Sequence, residues 1–243
     1  MKLVVDLGNT LKKVSVFAGN TQKYIECAEN IENSIETIFT TFSVTSAIIS
    51  SVIPDFRKLA GLISAKCPLL ILDDHTPVPI KNAYLSPETL GKDRLASAVA
   101  AATMFPGENV LIIDAGSCIK YDFIDSSATY HGGAISPGLH MRLKALHTFT
   151  GKLPLIQLSG NIQLTGKNTQ QSILSGVVNG AVAETDGIIE QYRIQYPDIK
   201  VILSGGDSAY LVNKLKSKIF AVSNMVLLGL KIILDYNDDI KQK

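Results

Sequence analysis

The chain reads as an α/β protein of two lobes, each a mixed β-sheet with flanking helices. Three observations carry that expectation. Two segments share one pattern: Lys2-Leu3-Val4-Val5-Asp6-Leu7-Gly8-Asn9-Thr10 leads into Val14-Ser15-Val16-Phe17, and Val110-Leu111-Ile112-Ile113-Asp114-Ala115-Gly116-Ser117 leads into the alternating stretch Cys118 to Phe123. Each is an apolar run ending in Asp-x-Gly, then a tight polar turn, then a second strand. Each is followed by a third strand and then by helical spacing, so the second half repeats the first in outline. At 243 residues the chain has room for two moderate domains, expected at 1–107 and 108–243.

Taken in order, Leu3 to Leu7 is almost wholly apolar, which suits a strand covered on both faces. Val14 to Phe17 and Lys23 to Cys27 complete a meander around the turn Ala18-Gly19-Asn20. Ile31, Ile35, Ile38, Phe39 and Phe42 have helical spacing. Thr45 to Val52 reads as a buried strand. Pro54 is suited to open a helix carrying Phe56, Leu59 and Leu62, and Leu69 to Leu72 is a further strand. Residues 73–88 hold Pro77, Pro79 and Pro87 and read as a long loop. Thr89 to Arg94 then opens an alanine-rich helix closed by Pro106-Gly107.

After the second hairpin, Thr129 to Ile135 is a strand, and Leu139, Leu143 and Leu146 mark a helix. Residues 149–165 are irregular. Thr169 to Tyr192 is a long helix, and its Gly176, Gly180 and Gly187 point to close packing. Lys200 to Leu203 is a strand that turns through Ser204-Gly205-Gly206-Asp207 into a helix. The final helix spans Met225 to Leu234 and precedes a charged tail expected to fray.

Composition narrows the function classes. A hydrophobic fraction of 46% with 19% charged residues describes a folded chain with a sizeable core. A formal charge of +1 supplies no electrostatic footprint for nucleic acid or an anionic membrane. Cys27, Cys67 and Cys118 are odd in number and unpatterned, which fits free thiols in a reducing, cytoplasmic compartment. No signal-peptide layout and no apolar run of about 18 residues is visible. Walker, Rossmann, zinc-spacing and G-x-S-x-G patterns are all missing from the sequence.

The hairpins carry the chemistry. Glycine lets the turn bring backbone N–H groups close to an anion, and the hydroxyl of Thr10 or Ser117 adds a donor. Asp6 and Asp114, at their strands' ends, can hold a metal ion or its water shell. A single Asp-x-Gly turn is mostly just a turn. Two copies point to lobes that grip a nucleotide's phosphates between them. Lys13 lies within reach of phosphates held by the first turn, whereas a surface role is its plain alternative and that of Lys12. At Gly91-Lys92-Asp93-Arg94, an acidic residue in a helix's first turn is ordinarily a response to the dipole. Between a long loop and the hairpins it could instead accept a proton from a substrate hydroxyl while Arg94 binds a carboxylate. Gly132-Gly133 and Pro137-Gly138 are read as conformational first. Ser204-Gly205-Gly206 resembles a nucleotide-approach turn. The scattered histidines, His140 and His147 included, fit surface or packing roles.

The ordered set Asp6 to Thr10, Tyr84 seven residues before Gly91-Lys92-Asp93-Arg94, Asp114 to Ser117, Gly132 to Gly138, Thr150 to Pro154, Asn168-Thr169 before Ser175-Gly176, and Ser204 to Gly206 resembles the type III pantothenate kinases. The match runs through nearly the whole chain. The resemblance implies an actin-like ATPase/sugar-kinase fold of two ribonuclease-H-like lobes, and a homodimer. It implies ATP-dependent phosphorylation of pantothenate, the first step toward coenzyme A, with magnesium and a monovalent cation, potassium or ammonium. By position, Asp93 would be the general base. Tyr84, Gly91, Lys92, Asp93, Arg94 and Thr169 would contact pantothenate, with Arg94 on its carboxylate. Asp6, Leu7, Gly8, Asn9, Thr10, Leu11, Lys12, Lys13 and Ser117 would hold the phosphates, with Asp6 on magnesium directly or through water. Asp114 would bind the monovalent cation, and Ser204, Gly205 and Gly206 would approach the adenosine.

Two departures stand out. The family usually continues Thr-Ala-x-Thr after the second hairpin's glycine, where this chain has Ser117-Cys118-Ile119-Lys120. Serine keeps the hydroxyl. Lys120 could aid phosphate binding, displace a metal ion or point away. The adenosine turn opens with Ser204 in place of threonine. Two other readings stand beside the kinase: an actin-fold enzyme or phosphohydrolase with another substrate, and a regulatory homologue that binds nucleotide only. Tyr84, Arg94 and Thr169 speak against the first, and intact Asp6, Asp93 and Asp114 against the second.

Overall fold

The computed structural model describes residues 1–8, 11–28, 31–53 and 56–242. They divide into two compact units: 1–106 with 128–130 and 224–243, and 107–127 with 131–223.

The first unit is built on a five-stranded sheet. Strands β1 (Lys2–Leu7), β2 (Lys12–Ala18) and β3 (Thr21–Ala28) form the expected antiparallel meander, and β4 (Ser46–Ser51) and β5 (Leu69–Ile71) add in parallel, giving the order β3-β2-β1-β4-β5. Because side chains alternate along a strand, β1 feeds two cores. Leu3, Val5 and Leu7 pack with Ile35 and Ile38 of α1 (Glu32–Thr41) and with Leu59 and Ile63 of α2 (Arg57–Ser64). On the opposite face Val4 packs with Ala96 and Val99 of α3 (Lys92–Met104) and with Leu227, Leu230 and Ile233 of the C-terminal helix, Met225–Gln242. Burial on both faces is why β1 reads as a continuous apolar run. The helix pair crosses closely: a Cβ at Gly229 would come within 1.8 Å of the Ala96 carbonyl oxygen.

Two expectations need correction here. The proline-rich stretch 73–88 is not wholly a loop. It contains β6 (Lys81–Asn82), paired in parallel with Thr129–Tyr130, and leads into a 3-10 turn at Pro87–Thr89. A two-residue strand has no periodicity to read, and its partner lies far along the chain. The charged C-terminus does not fray at Leu234 either, since the helix runs on to Gln242. Lys2 Nζ meets Asp235 at 2.5 Å and Asp238 at 2.9 Å, and Ser46 Oγ donates to Asp238 at 2.9 Å. Burial lowers the Lys2 pKa, but its hydrogen bonds to the two carboxylates outweigh this and raise it overall.

The second unit repeats the meander. Strands β7 (Val110–Ala115) and β8 (Cys118–Ile124) are antiparallel, and β9 (Thr129–Pro137) follows, beginning in the first unit. Across β7 lie the parallel strands β10 (Lys200–Ser204) and β11 (Phe220–Ala221), so the six-stranded sheet has the order β11-β10-β7-β8-β9-β6. Leu111, Ile113 and Tyr121 face Leu139 and Leu143 of α4 (Leu139–Thr148) and Leu174, Val178 and Ala181 of α5 (Thr169–Gln195). The turn after β10 enters α6 (Ser208–Leu211), a single turn, and α7 is the C-terminal helix already described. Asn168 caps α5, its side-chain oxygen accepting from the Gln171 N–H at 2.9 Å.

Candidate functional site

The first hairpin joins β1 to β2. Its register sets Asp6 opposite Lys13 and Leu7 opposite Lys12. Asp6, Gly8, Lys12 and Lys13 are all partly exposed, and Leu11 is exposed, so the polar end of the hairpin is accessible. Asn9 and Thr10 lie outside the described residues. Gly8 is in tight quarters, because a Cβ there would lie 2.9 Å from the Leu11 carbonyl oxygen.

In the same unit, the N-terminus of α3 gathers the most specific sequence motif. Gly91 is the residue before the helix, Asp93 lies in its first turn, and the Asp93 carboxylate accepts from the Arg94 N–H at 2.9 Å. A Cβ at Gly91 would stand 2.5 Å from that carboxylate oxygen. Only hydrogen at this position leaves the acid where it is. Arg94 is 5% exposed, and its guanidinium carbon sits 5.5 Å from the centre of the Tyr84 ring. Tyr84 in turn leans on the fully buried Tyr130 at 6.1 Å. A buried cation over an aromatic face is held rigidly and attracted by the ring, which suits recognition of a carboxylate by a planar fork. The structure thus brings Tyr84, Gly91, Asp93 and Arg94 together. Tyr130, part of the same cluster, is invisible as a site residue in sequence because its link to Tyr84 depends on the β6–β9 pairing.

The second hairpin joins β7 to β8 and sets Asp114 opposite Lys120. Lys120 Nζ lies 2.5 Å from Asp114 Oδ2, with side chains 17% and 19% exposed. Ser117 at the tip is exposed. Glycines supply the close packing around it. A Cβ at Gly138 would fall 2.1 Å from the Gly116 carbonyl oxygen, and Gly138 N–H donates to the Ser117 carbonyl at 3.2 Å. Gly205 has φ +97°, and a Cβ there would meet the Ala115 carbonyl oxygen at 2.1 Å. Only glycine combines that dihedral with that approach. Ser204 pairs with Asp114 in register, and Asp207 N–H donates to the Ala115 carbonyl at 2.9 Å. The turn expected to approach adenosine is therefore packed directly against the second hairpin. Thr169, also in this unit, is exposed at the start of α5.

Two polar features of this unit were not legible in the sequence. Arg142 donates to Ser136 at 3.0 Å, to the Pro137 carbonyl at 2.8 Å and to Glu184 at 2.6 Å, and Tyr121 donates to Glu184 at 3.1 Å. This network holds the end of β9 that delivers Gly138. Burial raises the Glu184 pKa, but the bonds from Arg142, Ser136 and Tyr121 prevail and lower it. Asp207 is 9% exposed, and burial raises its carboxyl above the usual range, offset in part by His140, whose Nε2 lies 3.8 Å away. The Asp207 Oδ2 atom is buried without a hydrogen-bond partner among the described residues. Among the described residues no three His, Cys, Asp or Glu side chains cluster as a metal site, and no helix is long and apolar enough to cross a membrane.

A family model described as type III pantothenate kinase matches residues 2–191. A type III pantothenate kinase of Bacteroides fragilis is 46% identical over 241 residues, covering 98% of this chain and 99% of that one. One from Christiangramia forsetii is 44% identical over 240 residues, with 98% and 99% covered. Among solved structures, a candidate Baf family transcriptional activator from Campylobacter jejuni matches with a TM-score of 0.58 at 21% identity, over 98% of this chain and 99% of that one. A candidate N-acetylmannosamine kinase from Listeria monocytogenes matches with a TM-score of 0.53 at 12% identity, over 97% and 99%. At such identities the likeness speaks for fold alone, and the fold is that of the actin-like sugar kinases.

Proposed function

This chain belongs to the type III pantothenate kinase family, and on that premise we propose how its residues divide the work. The activity is ATP-dependent phosphorylation of pantothenate, the first step of coenzyme A biosynthesis. Phosphoryl transfer needs little covalent help from a protein. It needs an aligned hydroxyl, a base and fixed positive charge around the phosphates.

Asp93 is the general base for the pantothenate hydroxyl, and Arg94 takes the pantothenate carboxylate with Tyr84, Gly91 and Lys92 alongside. Thr169 is a further pantothenate contact. The observation that carries this assignment is the buried Arg94 guanidinium 5.5 Å from the Tyr84 ring centre, one residue after Asp93. Such a cation is desolvated and preoriented, so an anionic group gains more from it than from a surface arginine. The first phosphate hairpin, within 1–107, uses Asp6 to Lys13. The second, within 108–243, uses Ser117, with Ser204, Gly205 and Gly206 for the adenosine. Asp6, partly exposed at its strand's end, fits magnesium held directly or through water, and magnesium there would offset phosphate charge. Asp114 is the seat of a monovalent positive charge.

A cytoplasmic homodimer completes the reading. Phe149 at 85% exposure and Leu164 at 83% are the kind of apolar side chains a partner covers, and Cys27, Cys67 and Cys118 are free thiols.

The test is ADP release with ATP and magnesium, with and without pantothenate. Release should depend on pantothenate and vanish in Asp93→Asn, while calorimetry shows nearly unchanged ATP binding. Normal turnover by that variant would remove Asp93 as the base. Release without pantothenate would favour a hydrolase.

A further inference from the structure

Lys120 is the departure in the second hairpin that brings a charge with it, and strand register decides what it does. Residues opposite each other on an antiparallel pair project to the same face, so Asp114 and Lys120 are held together by the backbone of β7 and β8. Nζ lies 2.5 Å from Oδ2, and both side chains are more than four-fifths shielded. The first hairpin likewise sets an aspartate opposite a lysine, Asp6 opposite Lys13. A separate potassium or ammonium ion at Asp114 does not fit this arrangement. It would have to share the carboxylate with an ammonium already seated on it, or displace that ammonium, and bear the repulsion of a like charge.

A monovalent cation beside Asp114 would contribute one positive charge next to the hairpin. A lysine ammonium is a compact charge with three donors and contributes the same, without depending on ion concentration. We propose that in this chain the Lys120 ammonium stands permanently in place of the monovalent cation at Asp114, so that nucleotide binding and turnover need no added potassium or ammonium. The proposal rests on reading the Asp114–Ser117 hairpin as a phosphate site.

The test compares potassium chloride with choline chloride at equal ionic strength and fixed magnesium. ADP affinity is read by calorimetry, thermal midpoint by fluorescence, and turnover by pantothenate-dependent ADP release. The wild type should change by less than about twofold in affinity and turnover between the salts. Lys120→Thr, which restores a hydroxyl residue, should lose about tenfold or more in choline, of the size expected for one preorganised charge. It should recover in potassium and gain a potassium-dependent rise in midpoint. A wild type that loses about tenfold in choline overturns the proposal, and so does a Lys120→Thr protein that behaves like wild type in choline. If Lys120→Thr does not fold, the wild-type comparison decides alone. Ser117→Ala separates the two readings. ADP affinity equal to wild type in both salts would sink the phosphate-site reading and this proposal with it. A weakened Ser117→Ala beside a potassium-dependent wild type would sink the proposal only.

Discussion

At Gly91 the side chain is a hydrogen because the Asp93 carboxylate occupies the space beside it. Its backbone is otherwise ordinary, with φ −56°, so alanine would be tolerated by the chain and not by the acid. Gly91→Ala should therefore leave the thermal midpoint nearly unchanged and lower kcat by about 10- to 100-fold, the size of effect that a displacement near 1 Å produces. An unchanged kcat in steady-state assays would show that the carboxylate is not positioned by this contact. Asp207 makes the opposite case, a group whose ionisation is penalised by the fold. Its carboxyl is raised by burial, so the native state ionises at higher pH than the unfolded chain. The stability linked to this group is complete below the ordinary carboxylate pKa and is lost as pH rises through the raised one. Asp207→Asn should remove that loss, making the variant more stable than wild type at pH 8 by on the order of 1 kcal/mol, with the gap closing toward pH 4. Thermal melts across that range check it, and a gap that widens on acidification would contradict it.

At the scale of elements, the two hairpins were the most legible part of the chain. An apolar run buried on both faces, an Asp-x-Gly end and an alternating return are all local signals, and β1–β2 and β7–β8 follow them closely. The pairing inside each hairpin came from the structure, which sets Asp6 against Lys13 and Asp114 against Lys120. The structure also shows that Asp114 and Lys120 are in contact and largely shielded. The glycines divide in the same way. A Gly-Gly turn is visible as a turn, whereas the Gly205 dihedral and its approach to Ala115 depend on β10 lying beside β7.

At the scale of the whole molecule, the chain's first and last elements meet. The C-terminal helix belongs to the first unit, where Lys2 and Lys231 hold Asp235, and Asn237 donates to the Pro77 carbonyl at 2.8 Å. These contacts turn a stretch that reads as a solvated tail into the last turns of a packed helix. Removal of residues 235–243 should cost roughly 2 kcal/mol through lost charge-assisted hydrogen bonds, or about 4–8 °C in thermal midpoint for a chain of this size. A midpoint within about 1 °C of wild type would mean the tail adds nothing.

By itself the sequence determined the α/β class, the two meanders and their Asp-x-Gly turns, and the motif order that marks the family. These rest on local periodicity and turn chemistry, which act over a few residues. The tertiary structure alone decided the placing of Arg94 over Tyr84, the contact of Tyr84 with Tyr130, the burial of Asp207, and the docking of the C-terminal helix on the first sheet. Each depends on residues brought together from distant parts of the chain, and such contacts follow from how the elements pack, which no short stretch encodes.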